Sequence, residues 1–184
     1  MRVITGSARG RKLKELEGYD TRPTTDRVKE GLFNVIQFDI DGRKILDLFA
    51  GTGQLGIEAL SRGAASAVFV EQRRDAVTLI KDNLRLTGLE ASARVVSGDA
   101  LAFLSSCRER FDIILLDPPY ASELLKNAVN AISQFDILSN HGIMICESPM
   151  EWEAPPLEPP YFLRRSYRYG KTKLTRICRE EDAE

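Results

Sequence analysis

A chain of 184 residues has the length of a single domain, and its 43% apolar and 29% charged residues are ordinary for a globular protein. No apolar run approaches the length of a membrane span, and the N-terminus lacks the apolar core of a signal peptide, so we expect a cytoplasmic protein. Three widely spaced cysteines and one histidine argue against a disulfide framework or a zinc site, and we expect no metal.

The first half of the chain predicts helices and strands in alternation. A helix begins at a cap within Thr24–Asp26, and a strand from Ile45 to Phe49 leads through a glycine loop into a helix that stops at Gly63. The sequence AASAVFVE predicts the next strand. A helix follows from Arg73 to Thr87, with Gly88 closing it.

The second half continues this alternation and then departs from it. It predicts a strand over ARVVSGDA, a helix near Leu101 to Cys107, a strand that ends at Asp117, a helix from Ser122 to Phe135 and a strand over HGIMICES. This spacing argues for a parallel sheet covered on both faces. The five prolines of SPMEWEAPPLEPP exclude a normal helix, and YFLRRSYRYGKTKLTRICR predicts a hairpin that turns near Gly170. We expect one domain, with a basic extension at 1–23, a core at 24–179 and an acidic tail at 180–184.

Basic residues are concentrated at the two ends of the chain. Residues 1–14 contain five of them and residues 164–179 contain seven, and neither segment has an acidic residue. Such segments can bind phosphate backbones although the net charge is −1. A solvated face whose counter-charges lie elsewhere explains them equally well.

The loop after the strand at Ile45 has the sequence GTGQLG, which matches G-x-G-x-x-G through Gly51, Gly53 and Gly56. Glycines allow a nucleotide to approach the backbone, and Glu71 at the end of the next strand can accept both ribose hydroxyls. The pattern alone fits NAD. Asp47 favours S-adenosylmethionine, because a carboxylate repels a pyrophosphate and attracts an ammonium and a sulfonium. In the alternative interpretation, Asp47 only orders the loop through backbone N–H groups.

A Gly-Asp turn after the third predicted strand agrees with an adenosyl ligand. The Asp99 carboxylate can accept from an adenine amino group while the backbone at Ala100 contacts the ring edge. A Gly-Asp pair alone is usually only a turn, and this alternative stays open.

The segments LDLFAGTGQLGIEAL, Glu71, GDA and DPPY follow one another in this order. With them the chain resembles the class I S-adenosylmethionine-dependent methyltransferases, in particular the group that modifies exocyclic amino nitrogens. The resemblance implies a Rossmann-like α/β fold with a seven-stranded, mostly parallel sheet whose last strand is antiparallel. It implies S-adenosyl-L-methionine as the cofactor and adds Phe49 to the cofactor-binding residues above.

The tetrapeptide Asp117-Pro118-Pro119-Tyr120 follows an apolar strand, at the edge where open α/β sheets bind ligands. An exocyclic amine attacks a methyl group only when its lone pair is localised on nitrogen. The Asp117 side chain and the Pro118 carbonyl can accept its two N–H bonds, and the prolines stiffen the loop. Asp117 can take the proton late, and Tyr120 offers a stacking face worth about 1 to 3 kcal/mol. Taken singly, these residues are explained as well by a turn cap, a strand terminator and a core edge.

The segments TGSARGRKL and RPTTDRVKEGLFN extend the resemblance over nearly the whole chain, to the RsmD-type bacterial enzymes. This implies methylation of a guanine N2 amine in 16S ribosomal RNA, either free or in an assembling small subunit. It also implies an N-terminal basic β-hairpin beside the pocket. The implied RNA-binding residues are Arg9, Arg11, Lys12, Arg22 and Arg27. Since nothing indicates an exposed apolar interface, we expect a monomer.

Other functions compete with this interpretation. Adenine-N6 and protein-glutamine methyltransferases use a near-identical loop, but no segment here is long enough for the insertion or helical domain typical of the DNA and glutamine enzymes. Cytosine C5 methylation would need a Pro-Cys pair, which the chain lacks. An NAD-dependent oxidoreductase would leave DPPY without a role. A non-catalytic RNA-binding module would leave the acidic residues at the cofactor positions unexplained.

Overall fold

The computed structural model describes residues 1–16, 26–119 and 122–180. Its helices are α1 (Asp26–Val35), α2 (Gln54–Ser61), α3 (Arg74–Thr87), α4 (Ala100–Ser106) and α5 (Ser122–Gln134). Its strands are β1 (Lys44–Asp47), β2 (Ser66–Glu71), β3 (Ala93–Ser97), β4 (Phe111–Leu116), β5 (Leu138–Pro149), β6 (Tyr161–Tyr169) and β7 (Thr172–Arg179). Each helix and strand that the sequence predicts between residues 26 and 179 is present. The largest difference from the predicted bounds is in β5, which begins at Leu138 because that residue already pairs with Phe111 of β4.

The strands form a seven-stranded sheet in the order β3-β2-β1-β4-β5-β7-β6. Neighbouring strands from β3 to β5 are parallel, whereas β7 runs antiparallel to both β5 and β6. The predicted mostly parallel sheet with an antiparallel last strand is therefore confirmed. The central strand β4 is almost continuously apolar because helices cover both of its faces, and β6 is mostly exposed because it forms an edge.

The side chains of the sheet alternate between two cores. Ile113 and Leu115 of β4 face a core that contains α1, α2 and α3, and Ile114 and Leu116 face a core that contains α4 and α5. All four side chains are at most 1% exposed. Burial of each stabilises the fold by about 1.5–3 kcal/mol, so the strand that leads to the DPPY loop is firmly held.

The N-terminal segment packs on α2, and its predicted β-hairpin is not confirmed. Within residues 1–16 one isolated antiparallel bridge joins Arg2 and Lys12, without a strand on either side. The backbone N–H groups of Ile4 and Thr5 instead donate to the Glu58 carboxylate of α2, at 2.7 and 3.0 Å. The segment folds back on itself around the bridge, where the Val3 N–H donates to the Arg11 carbonyl at 3.0 Å and the Leu13 N–H to the Met1 carbonyl at 3.1 Å. Beyond the bridge, side-chain acceptors take the donors that a longer hairpin would pair.

Three charged side chains attach this N-terminal segment to the core. Glu58 and Lys29 are fully buried, and the Arg62 Nε donates to Glu58 at 2.8 Å. The Lys29 ammonium donates to the Arg2 carbonyl at 2.6 Å and lies 3.9 Å from Glu58. Burial lowers the pKa of Lys29, and the nearby Glu58 charge opposes this effect. A buried ammonium is tolerated here because a carbonyl and a carboxylate surround it.

Candidate active site

Three carboxylates meet at the carboxyl ends of adjacent strands. Asp47 ends β1, Glu71 ends β2 and Asp117 follows β4, and the register pairs Asp47 with Phe69 on one side and with Leu115 on the other. The charges of Asp117 and Glu71 both raise the pKa of Asp47, because each carboxylate lies close enough to disfavour a further negative charge there. The sequence predicted each residue singly, and the sheet brings them together.

Asp47 is 1% exposed and orders the glycine loop. Its Oδ2 accepts from the Gly56 N–H at 2.9 Å, so the loop-ordering role that the sequence left open is observed. Burial, more than the neighbouring charges, raises the pKa of Asp47 to about 7, although the hydrogen bond from Gly56 opposes the shift. The protonated and ionised forms are therefore close in free energy near neutral pH.

Glu71 is held by two backbone donors. Its Oε2 accepts from the Gly51 N–H at 2.9 Å and its Oε1 from the Arg73 N–H at 2.8 Å. These bonds fix the carboxylate plane beside the glycine loop. A carboxylate can accept further hydrogen bonds, so Glu71 retains the capacity to receive ribose hydroxyls.

The glycines of the loop are required for two different reasons. Gly51 and Gly53 have φ of 54° and 79°, the left-handed region that side chains disfavour. A Cβ at Gly56 would lie 2.3 Å from the ring of Phe69, so this glycine allows α2 to approach β2. Phe49, between Asp47 and the glycines, is half-buried against the second core.

Asp99 caps a helix beside this loop. Its Oδ1 accepts from the Ala102 N–H at 2.9 Å, which makes it the N-cap of α4, and Ala100 is buried. The Gly98 N–H donates to the Glu71 carbonyl at 3.0 Å and draws this turn towards the end of β2. The turn-shaping role of Asp99 is thus observed, and its contact with adenine stays a prediction.

The DPPY loop begins directly at the end of β4. Asp117 is half-buried, Pro118 is buried and Pro119 is exposed. Tyr120 lies outside the described residues, so its stacking role stays a prediction. The buried Pro118 fixes the backbone beside Asp117 because its ring restricts φ.

The predicted RNA-binding residues occupy different places. Arg9, Arg11, Lys12 and Arg27 are exposed, and Arg22 lies outside the described residues. The turn that carries Arg9 and Arg11 follows Ser7, whose N–H donates to the carbonyl of Ser61 at the far end of α2 from the glycine loop. These two arginines therefore lie towards the amino edge of the sheet, away from Asp117. Arg27 lies in the first turn of α1.

Sequence reasoning missed Asn83, a fully buried residue of α3 that joins the N-terminal segment to the glycine loop. It accepts from the Lys14 N–H at 2.8 Å, and its Nδ2 donates to the carbonyls of Lys14 and Thr52 at 3.2 and 3.0 Å. A signal was present in the sequence. Asn83 lies on the same helical face as Ile80 and Leu84, where a polar residue needs a partner.

Gln54, the first residue of α2, is a second site residue that the sequence did not predict. Its Oε1 is buried and has no hydrogen-bond partner within the part of the chain that the structure describes. Such an orphaned acceptor beside Gly53 suits a ligand that carries N–H donors.

S-adenosylmethionine fits these residues. It is cationic at the sulfonium and the ammonium, whereas the site holds the Asp47 carboxylate and two further carboxylates, Glu71 and Asp117, whose charges act on it. The orphaned Gln54 acceptor matches an ammonium, and the glycine loop lets a ligand approach the backbone. A pyrophosphate would meet the same carboxylates with repulsion.

The described ranges hold neither a metal-binding cluster nor a membrane-spanning helix. No group of three or more His, Cys, Asp or Glu side chains in these ranges could hold a metal ion. Among the helices of the same ranges, none is both long and apolar enough to cross a membrane.

Known proteins resemble this chain over almost its full length. The family model described as Conserved hypothetical protein 95 matches residues 1–177. A protein of Bacillus subtilis (strain 168) is 42% identical over 175 residues, which are 94% of this chain and 95% of the relative. Ribosomal RNA small subunit methyltransferase D of Escherichia coli (strain K12) is 36% identical over 184 residues, covering 100% of this chain and 92% of the relative. A solved Escherichia coli structure has a TM-score of 0.87 at 35% identity and covers 98% of both chains.

The sheet order and the three carboxylates beside the glycine loop define a class I S-adenosylmethionine-dependent methyltransferase. The family model and the relatives agree with this class. The chain belongs to the family of that model, which is the family of ribosomal RNA small subunit methyltransferase D.

Proposed function

We propose that this protein transfers a methyl group from S-adenosylmethionine to the exocyclic N2 amine of a guanine in 16S ribosomal RNA. One observation carries the proposal. Asp117 follows a rigid core strand, and its charge acts on Asp47, which orders the glycine loop, so an amine-binding acceptor lies beside a site for a cationic ligand. Small-subunit ribosomal RNA as the substrate is supported by the name of the Escherichia coli relative.

The residues at the ends of β1, β2 and β3 would hold the cofactor. Glu71 would accept hydrogen bonds from its ribose hydroxyls, and Asp99 and Ala100 would contact its adenine. Asp47 would attract its positive charge, and Phe49 would pack against the adenosyl group. When bound, the cofactor supplies a methyl group activated by a sulfonium. Because Asp47 is buried and bonded to Gly56, its contribution to binding is mainly the charge and the loop conformation that it enforces.

Asp117 and Pro118 would orient the guanine amine. The carboxylate and the peptide carbonyl accept its two N–H bonds, which favours a pyramidal nitrogen whose lone pair points at the methyl group. Methylation makes the nitrogen strongly acidic, and Asp117 would accept the proton that it loses. Tyr120 would stack on the flipped base.

The substrate is proposed to be ribosomal RNA, free or within an assembling small subunit, and the enzyme to act as a monomer in the cytoplasm. Because the described residues contain no added RNA-binding domain, we expect a ribonucleoprotein surface to provide part of the recognition. Methyl transfer to purified 16S rRNA should therefore be slower than transfer to small subunits from a methylation-deficient strain. Equal rates on both substrates would contradict this expectation.

Identification of the methylated nucleoside tests the proposal. The purified protein is incubated with labelled S-adenosylmethionine and unmethylated small subunits, and the RNA is digested to nucleosides for mass spectrometry. Labelled N2-methylguanosine is expected, and Asp117→Asn, which cannot accept the proton, should slow its formation without loss of cofactor binding. Label in N6-methyladenosine or in protein glutamine would overturn the proposed substrate, and binding of NAD in place of the cofactor would overturn the class.

A further inference from the structure

Four cations of the β6–β7 hairpin are exposed at the edge of the sheet. We name them the hairpin cations: Arg164, Arg165, Arg168 and Lys171. No carboxylate of the described residues forms an ion pair with any of them. The remaining basic residues of the hairpin have structural roles. Arg176 pairs with Asp39, Arg179 pairs with Asp136, and Lys173 donates to the Trp152 carbonyl.

The tip of the hairpin stands beyond the catalytic edge. Leu116, the last residue of β4, is level with Cys146 of β5, and β5 continues for three more residues to Pro149, which pairs with Thr172 of β7. Three residues at about 3.3 Å each raise the tip about 10 Å above the end of β4, where Asp117 begins. The edge strand β6 lies three strand spacings from β4, or about 14 Å to the side. The tip therefore forms a wall beside the DPPY loop.

A contact between α1 and the hairpin continues this wall. A Cβ at Gly31 would lie 2.4 Å from the ring of Tyr169, so the helix packs directly on the last residue of β6. This packing brings the first turn of α1, with the exposed Arg27, towards the hairpin tip. Arg9 and Arg11 lie towards the other end of α2 and do not contribute here.

The hairpin presents its cations on a rigid support. β6 and β7 pair from Tyr161 to Tyr169, and the Ser166 and Thr175 hydroxyls lie 3.3 Å apart across the two strands. The Arg165 guanidinium lies 5.3 Å from the centre of the Tyr167 ring, and the Arg168 Nε donates to the Gly170 carbonyl at 3.4 Å. Binding through side chains that are already oriented costs less entropy than binding through a disordered tail.

We propose that the hairpin cations bind the phosphate backbone of the RNA strand that flanks the target nucleotide. The proposal rests on the proposed function, because it places the same substrate against a second surface beside the same site. RNA fits because its charges are all negative and repeat along the strand, as the hairpin cations are all positive and spaced along one edge. The charges hold the strand in position and carry no sequence information themselves.

Charge removal with a matched control tests the proposal. One variant is Arg168→Gln/Lys171→Gln. Its control is Arg43→Gln/Arg108→Gln. These two exposed cations precede β1 and β4, so they lie at the amino ends of the strands, on the opposite side of the sheet from the DPPY loop. RNA binding is measured against salt concentration with purified 16S rRNA fragments, and cofactor affinity is measured in parallel. If both residues contact single-stranded phosphates, the slope of log K against log salt decreases by about 1.4 in the hairpin variant, while the control keeps the wild-type slope.

The outcomes separate this proposal from the proposed function. A hairpin variant that matches the control in RNA affinity and in salt slope would overturn it. A variant that binds naked rRNA normally but loses activity on small subunits would also overturn it, because the contact would then be with a ribosomal protein. Hairpin-dependent RNA binding without any N2-methylguanosine would support the phosphate contact and overturn the proposed function instead.

Discussion

The charge of Asp47 makes cofactor binding depend on pH in a direction that the structure fixes. Burial raises the pKa of Asp47 from 3.8 to about 7, so the carboxylate is about one-tenth ionised at pH 6 and about nine-tenths ionised at pH 8. A cationic ligand that needs the ionised form should therefore bind about tenfold more weakly at pH 6. The amino group of the cofactor titrates near pH 7.7–8.0 in the opposite direction, which leaves a net loss between about three- and fivefold.

Calorimetric titration with S-adenosylmethionine from pH 6 to 8 measures this effect, with Asp47→Asn as the control. The variant keeps an acceptor for the Gly56 N–H, and only the amino group of the ligand still titrates, so its affinity should stay level or rise as the pH falls. Parallel pH profiles for the two proteins would refute the role of the Asp47 charge.

The same pKa shift predicts an effect on the protein without ligand. The folded-state pKa lies above the unfolded value, so Asp47 contributes its full stability below about pH 4 and loses it as the pH rises through 7. Thermal unfolding should show that Asp47→Asn increases the stability at pH 8 more than at pH 5. A larger gain at pH 5 would contradict the assigned direction.

Three substitutions test the packing around the site. Glu58→Ala leaves a buried ammonium without its partner and should lower the free energy of unfolding in urea by about 3–5 kcal/mol, whereas a loss under 1 kcal/mol would contradict the buried ion pair. Asn83→Ala should lower the free energy of unfolding by about 1–3 kcal/mol and weaken cofactor binding, because Asn83 holds the glycine loop. Asp82→Ala on the exposed face of the same helix should leave cofactor binding unchanged. Equal effects of the two substitutions on cofactor binding would contradict the role of Asn83 in joining the N-terminal segment to the loop. Gly31→Ala should lower the free energy of unfolding by about 1–3 kcal/mol, because the added methyl group overpacks against Tyr169. Tyr169→Ala in the same chain should recover part of this loss, whereas additive losses would contradict the contact between Gly31 and Tyr169.

The sequence predicted most of the fold because its local signals agree with the tertiary structure. Apolar runs such as FDIILL mark strands that are covered on both faces, and the amphipathic helix that Gly88 closes ends where the structure ends it. The spacing of Gly51 and Gly53, which adopt the left-handed conformation, predicted a ligand-binding loop, because few other functions need glycines at that spacing. The confirmed fold therefore follows from periodicity and turn chemistry.

Long-range contacts explain what the sequence did not show. The N-terminal hairpin was predicted from a resemblance, and only one bridge, between Arg2 and Lys12, joins its two arms. Donors beyond that bridge bind Glu58 and Ser61 on a distant helix. Burial of Lys29 depends on the same contact, since a lysine usually marks an exposed face. The distance of Arg9 and Arg11 from Asp117 is likewise set by packing along α2, which no local pattern encodes.

The single-turnover rate of methyl transfer tests the central claim most directly. Wild type and Asp117→Ala are compared with both substrates saturating, and cofactor affinity is measured separately. If Asp117 accepts a hydrogen bond from the guanine amine in the transition state, the rate in the variant should fall by about a hundredfold or more, the loss typical of one removed transition-state contact. The cofactor affinity should stay within about threefold of the wild-type value. A variant rate within about twofold of wild type would contradict the account.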